Sequence, residues 1–258
     1  MSRPLVLLSN DDGWDAPGIR ALGDELGRFA EVVTCAPERD QCAASHSLTL
    51  DSVLRLRQVR PGVFALDGTP ADCVYVAVHS GTRLLPRRPD LVVSGMNRGP
   101  NLGVDVLYSG TVAAAREGAN RGLPALAVSA DPGADVAPAA VFGAKLAAAV
   151  LARIAAGPPD TPFLLNLNIP AGSDWPLRVT KLGRRDYDHG VVYRTDPRGR
   201  EYLWLAGTTH RHGREPGTDT AAYEEGCASL TPLALDVSAP ELASLAHEIA
   251  ARGASLVR

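Results

Sequence analysis

Short, mostly apolar runs recur along the first two thirds of the chain, most of them separated from the next by a stretch with helical spacing. This alternation restricts the fold more than any other feature of the sequence. Strands are predicted over residues 5–9, 31–36, 90–94, 125–129 and 163–168. Behind Pro17 and Gly18, the side chains of Ile19, Leu22, Leu26 and Phe29 share one helical face. An Ala-rich helix is predicted over 111–121, closed by Gly122, and another over 138–156. Strands this short and apolar need cover on both faces, which predicts an α/β fold with a mostly parallel sheet between two helical layers.

The pattern changes after Pro170. Residues 190–207 form two β-rich runs around Asp196-Pro197-Arg198-Gly199, the signature of a projecting hairpin. A polar loop over 208–220, a strand over 228–235 and an amphipathic helix over 240–252 follow. The reading is a single domain, 1–258, with an α/β core over 1–170 and a carboxyl-terminal arm over 171–258. Whether the hairpin pairs subunits or decorates a monomer stays open at this point.

Composition narrows the functional classes. The chain has 258 residues, a formal charge of −3 and no basic cluster, which argues against a nucleic-acid polymer as partner. No apolar run approaches the roughly 20 residues that span a bilayer, and the first residues lack a secretory pattern, so a cytoplasmic protein without a membrane partner is expected. Cys35, Cys42, Cys73 and Cys227 are scattered with no CxxC pair, which predicts reduced thiols.

The chemistry collects in loops at the carboxyl ends of the predicted strands, where ligands bind in open α/β sheets. The first strand runs into Asn10-Asp11-Asp12-Gly13. Two adjacent carboxylates repel unless protonated or bridged by a cation, so this segment is either a divalent-metal site or an Asx-rich helix cap. The run from Ser94 to Gly103 follows the strand at 90–94, and its Asn97 offers a neutral oxygen to a hard cation. Tyr108-Ser109-Gly110-Thr111 opens the Ala-rich helix, a natural site for a phosphate or simply a cap. The phosphate-binding set read from these loops is Asn10, Asn101, Ser109, Gly110 and Thr111, and the catalytic set is Asp11, Asp12 and Asn97. Trp14 and Tyr108 border the loops as base-stacking candidates. His46-Ser47 is a poor nucleophile pair because adjacent residues seldom face each other. The elbow, P-loop and dinucleotide fingerprints are missing at the strand–helix junctions. Metal-assisted phosphoryl transfer is the resulting expectation.

Leu8-Ser9-Asn10-Asp11-Asp12-Gly13, Gly68-Thr69-Pro70-Ala71-Asp72-Cys73-Val74, the run from Ser94 to Asn101 and Ser109-Gly110-Thr111-Val112 together resemble the SurE family of survival-protein phosphatases, with Ser229-Leu230-Thr231-Pro232-Leu233 in support. The resemblance implies a Rossmann-like core and a metal-dependent phosphatase acting on nucleoside 5′- or 3′-monophosphates, with short polyphosphate as a further substrate. It also implies one divalent ion per subunit, Mg²⁺ or Mn²⁺, and a homodimer or homotetramer built through the carboxyl-terminal extension. Asp11, Asp12 and Asn97 match three of the family's metal ligands. The fourth is usually a Ser, and the ungapped run from Ala36 to Thr49 puts Cys42 there; Ser45 or water are the alternatives. Where some members carry a His after Thr231-Pro232-Leu233 this chain has Ala234, so no general acid is assigned. Asp72 is read as a helix-start residue that supports the site from behind. A haloacid-dehalogenase phosphatase would need a second acid two residues beyond its nucleophile, which the contiguous Asp11-Asp12 does not provide. A non-catalytic nucleotide-binding module is the third reading.

Overall fold

The alternation of buried side chains along the first strand sets the architecture. In the computed structural model, which describes residues 3–157, 161–188, 190–206 and 210–256, β1 (Leu5–Ser9) sends Leu5 and Leu7 into one apolar cluster and Val6 and Leu8 into another. Both faces of the strand are therefore covered, as its unbroken apolar run requires. Then follow α1 (Pro17–Leu26), β2 (Glu31–Pro37), β3 (Leu56–Arg60), β4 (Val63–Leu66), α2 (Pro70–His79), β5 (Leu91–Arg98), α3 (Gly110–Asn120), β6 (Ala125–Ala130), α4 (Val136–Ala155) and β7 (Leu164–Ile169). The arm contributes β8 (Leu177–Val179), β9 (Arg185–Tyr187), β10 (Gly190–Thr195), β11 (Glu201–Ala206), β12 (His210–His212), α5 (Asp219–Glu224), β13 (Ala228–Leu233) and α6 (Ala243–Leu256).

The main sheet runs in the order β3-β4-β2-β1-β5-β6-β7-β13-β8. Its central strands are parallel, while β3 and β13 run against β4 and β7. On one face Cys73, Val74 and Ala77 of α2 pack with Val112, Ala115 and Ala119 of α3; on the other, Ile19, Leu22 and Leu26 of α1 pack with Ala144, Ala147 and Val150 of α4. The expected three-layer α/β arrangement is what forms. α4 is 20 residues long and apolar enough to cross a bilayer by composition, yet its Ala139, Ala140, Gly143, Ala144 and Ala147 are buried in the fold.

Several boundaries differ from the sequence reading. The helix after the acid pair ends at Leu26 and leaves Phe29 in the following turn. β5 extends to Arg98, so Asn97 belongs to a strand end. The edge hairpin β3–β4 and the short β8, β9, β12 and α5 had no clear periodicity to reveal them. The predicted strand over 228–235 stops at Leu233. β10 and β11 pair from Gly190↔Ala206 to Thr195↔Glu201, as the hairpin reading requires. Gly207 of that reading, and the first two residues of the predicted 208–220 loop, lie outside the described residues.

Candidate active site

β1 has β2 on one side and β5 on the other, so the chain order reverses at β1 and a crevice opens outside the carboxyl ends of β1 and β5. The register pairs Ser9 with Ser94 at these ends. A few residues further on, the two segments bring Asp11 and Asp12 together with Asn97 and Arg98 in the wall of one cavity of about 250 Å³. Cys42, Asn101, Asp105, Tyr108, Ser109 and Tyr187 complete its principal lining.

Asp11 is 5% exposed. The helix behind it comes unusually close: a methyl group at Gly110 would lie 2.8 Å from Asp11 Cβ and 3.0 Å from its Oδ2, so only glycine fits. The Thr111 hydroxyl donates to Asp11 Oδ1. Burial, helped by the Asp12 charge and opposed by that hydrogen bond, pushes the Asp11 carboxyl up to about 6. Burial also raises Asp12, against the opposing effects of the Arg98 backbone N–H and guanidinium. Two desolvated acids side by side form an electrostatic trap for a cation.

Asn97 is oriented to join them. Its Nδ2 donates to the Gly99 carbonyl at 2.8 Å, which leaves Oδ1 as the free acceptor. Among the described residues no group of three or more His, Cys, Asp and Glu could hold a metal ion, so an amide oxygen is needed to extend the donor set beyond the acid pair. Cys42 faces the same cavity without closing on the two carboxylates. Its thiol is exposed, and its pKa is raised by partial burial and by Asp40, Asp11 and Asp12.

The loop that carries Cys42 is anchored on three sides. Gln41 N donates to the Asp11 carbonyl at 2.8 Å, and Ser45 uses its N–H and hydroxyl on the carbonyls of Tyr108 and Leu107. His46 Nε2 lies 2.8 Å from Glu117 Oε2, and Thr49 bonds Asp72 through both backbone and hydroxyl. Ser47 Oγ donates to the Ala44 carbonyl, so His46 and Ser47 do not form a catalytic pair. Asp72 and Thr69 make a full capping box at the start of α2, the helix-start role expected of Asp72.

Three of the residues read as phosphate-binding stand away from the cavity lining. Asn10 is fully buried and donates to the Gly13 carbonyl, while Gly110 and Thr111 sit behind Asp11 and do not line the cavity. The threonine hydroxyl is consumed by the carboxylate that burial would otherwise leave without a donor. Ser109 and Asn101 do line the cavity. Ser109 caps α3 by accepting from Val112 N at 3.1 Å, and so aims the helix start at the site. Asn101 is held by Asn168 Oδ1, Ser129 Oγ and Asn166 Nδ2. Of the two aromatic candidates, Tyr108 lines the cavity, 61% exposed, whereas Trp14 packs against the α1–α4 core.

The residues missed from sequence are Asp105 and Tyr187. The Tyr187 hydroxyl donates to Asp105, and Arg185 binds the same carboxylate. The Asp219 carboxylate, buried in the arm, accepts from Gly103 N at 2.9 Å and Gly183 N at 2.6 Å. Gly103, at φ +52°, comes so close to the Gly183 carbonyl that a side chain would strike it. The arm thus closes one side of the crevice, a contact across more than 80 residues that no local spacing encodes.

The family model of the survival protein SurE matches residues 6–189. The chain belongs to the SurE family. A 5′-nucleotidase SurE of Sorangium cellulosum is 60% identical over 250 residues, covering 96% of each chain. A 5′-nucleotidase SurE of Anaeromyxobacter dehalogenans is 51% identical over 235 residues, 90% of each. The crystal structure of the SurE protein from Aquifex aeolicus superposes with a TM-score of 0.78 at 37% identity, covering 93% of this chain and 96% of that one. In this SurE chain the family resemblance therefore extends through the arm that supplies Tyr187.

Proposed function

We propose that this chain is a divalent-metal-dependent 5′-nucleotidase, hydrolysing nucleoside 5′-monophosphates, with 3′-monophosphates and short polyphosphate as further substrates. The observation that carries the reading is the desolvated pair Asp11 and Asp12 beside Asn97 at the point where the strand order reverses. Relatives that bear the 5′-nucleotidase name at 60% and 51% identity supply the reaction class.

Asp11, Asp12 and the Asn97 amide oxygen would hold one Mg²⁺ or Mn²⁺, with Cys42 as the fourth side chain facing it. The chemistry such an ion supplies is positive charge, which activates a water and offsets the negative charge that builds on the phosphoryl group. The protein's own contribution is positioning. Ser109, the residue that caps α3, and Arg98 present a hydrogen-bond donor and positive charge to the phosphoryl oxygens, and Asn101 is clamped beside them. Thr111 and Gly110 keep Asp11 in place. No side chain lining the cavity is assigned as general acid, and the leaving oxygen takes its proton from water.

The reading extends to a cytoplasmic homodimer or homotetramer. The hairpin β10–β11 exposes Val191, Tyr193, Leu203, Trp204 and Leu205, a two-stranded ribbon left without apolar cover among the described residues.

Phosphate release from AMP with Mn²⁺ or Mg²⁺, abolished by chelator and restored by added metal, is the deciding measurement. An acid-stable phosphoenzyme trapped during turnover would favour the covalent Asp mechanism. Nucleotide binding with no release under any divalent ion would leave a binding module.

A further inference from the structure

The acid cavity shares a wall with a larger one. Asp12, Asn97 and Arg98 line both, and the second cavity, about 420 Å³, continues between the start of α1 and the segment from Ala130 to Val136. Its volume lies within the range of ~300–1,000 Å³ usual for small-molecule sites. The two cavities adjoin at these three residues, so a ligand with its reacting end at the acid pair lies directly beside the larger cavity.

The lining states what the rest of such a ligand must be. Met96, Ala134 and Val136 give an apolar surface suited to a flat ring. Asp15 and Asp131 add two carboxylates to Asp12, so a second anionic group would be repelled while N–H and O–H donors would be welcomed. Asp131 is fixed in position: the Tyr223 hydroxyl donates to one oxygen and Gly133 N to the other at 2.7 Å, leaving lone pairs for a ligand. A neutral, flat, hydroxyl-bearing group attached to a phosphate matches this chemistry.

We infer that the nucleoside half of the substrate occupies this second cavity, its ring against Met96, Ala134 and Val136 and its hydroxyl or amino donors on Asp131 and Asp15. Arg98 stands at the boundary, where the phosphate joins the sugar. The inference rests on the nucleotidase reading and adds to it a location and a specificity surface. Residues remote from the acid pair then determine discrimination between nucleotides and simple phosphate esters.

Val136 is 47% exposed in the first turn of α4, so a bulky side chain there fills the cavity without disturbing the core. Steady-state kinetics of Val136→Trp and Asp131→Asn, with AMP and with the ringless ester methyl phosphate, test the assignment. The expected result is a fall of tenfold or more in kcat/KM for AMP with Val136→Trp, carried mainly by KM, and a several-fold fall with Asp131→Asn. Values for methyl phosphate, which has no ring to place in the larger cavity, should change less than twofold in both. Unchanged AMP kinetics in both variants, or parallel losses on the two substrates, would overturn the subsite. A wild-type protein that hydrolyses neither ester under any divalent ion would instead overturn the nucleotidase reading, and the subsite with it.

Discussion

Gly110 stands against Asp11 with no room for a single added carbon: a Cβ would meet Asp11 Cβ at 2.8 Å, Asp11 Oδ2 at 3.0 Å and Pro70 Cγ at 3.0 Å. The start of α3 and the acid pair are thereby one packing unit. Gly110→Ala must push the helix start or the carboxylate aside, at a cost of about 1–3 kcal/mol. Phosphate release from AMP should fall at least tenfold, with weaker Mn²⁺ binding by calorimetry. Wild-type turnover in this variant would show that the close approach is dispensable.

Asp11 has a sign that separates stability from activity. Its folded pKa of about 6 exceeds the ordinary 3.8, so the native state holds this proton more tightly than the unfolded chain does. Its contribution to stability therefore falls as pH rises from about 4 through 6, and the charged form is a net cost at neutral pH. In chelator, Asp11→Asn should raise stability by about 1–3 kcal/mol at neutral pH and leave it unchanged at pH near 4. Turnover should fall about a hundredfold or more, as it should for Asp12→Asn. Denaturant melts at the two pH values check the first part, and an Asp11→Asn protein less stable than wild type at neutral pH would refute it.

Glu117 behaves in the opposite sense. Burial of this 1% exposed residue would raise its pKa, but the bonds to His46 and Arg121 outweigh burial and hold it below 4.5. A depressed folded pKa adds stability above the unfolded value and loses it as pH falls through the folded one. Glu117→Gln should therefore cost about 1–3 kcal/mol at neutral pH. The deficit should shrink in acid, and an equal deficit at both pH values would assign the effect to packing.

Cys42 is the accessible thiol of a chain whose Cys35, Cys73 and Cys227 are buried. A thiol-selective reagent should label Cys42 first in the native protein, with protection by Mn²⁺. A hydroxyl is the harder donor, so Cys42→Ser should retain turnover and raise activity with Mg²⁺ relative to Mn²⁺ by several-fold. An unaltered metal profile, with labelling indifferent to Mn²⁺, would remove Cys42 from the donor set.

The hairpin can be tested by removal. Trp204 is 66% and Leu205 84% exposed, and a deletion of residues 190–206 should shift the sedimenting species toward the monomer. An unchanged oligomer would assign self-association to another surface.

What the sequence determined by itself was everything carried by local periodicity and contiguous chemistry. The apolar runs of β1, β5, β6 and β7 can be buried only between two helical layers, and adjacent Asp11 and Asp12 after a strand can be read as a site before any packing is known. Asn97, Asn101 and Ser109 were legible because they too follow strand ends or precede a helix. The tertiary structure decided which groups of those loops face the cavity and which stand behind it. The Thr111 hydroxyl was read as a phosphate donor, yet it is committed to Asp11, because a buried carboxylate demands a donor before a ligand can claim it. Asp105 and Tyr187 meet only when the arm folds back across the crevice, and the second cavity exists only where α1, β5 and the end of β6 converge. Such contacts bring together residues far apart in the chain, and hydrophobic period and motif spacing report only on near neighbours.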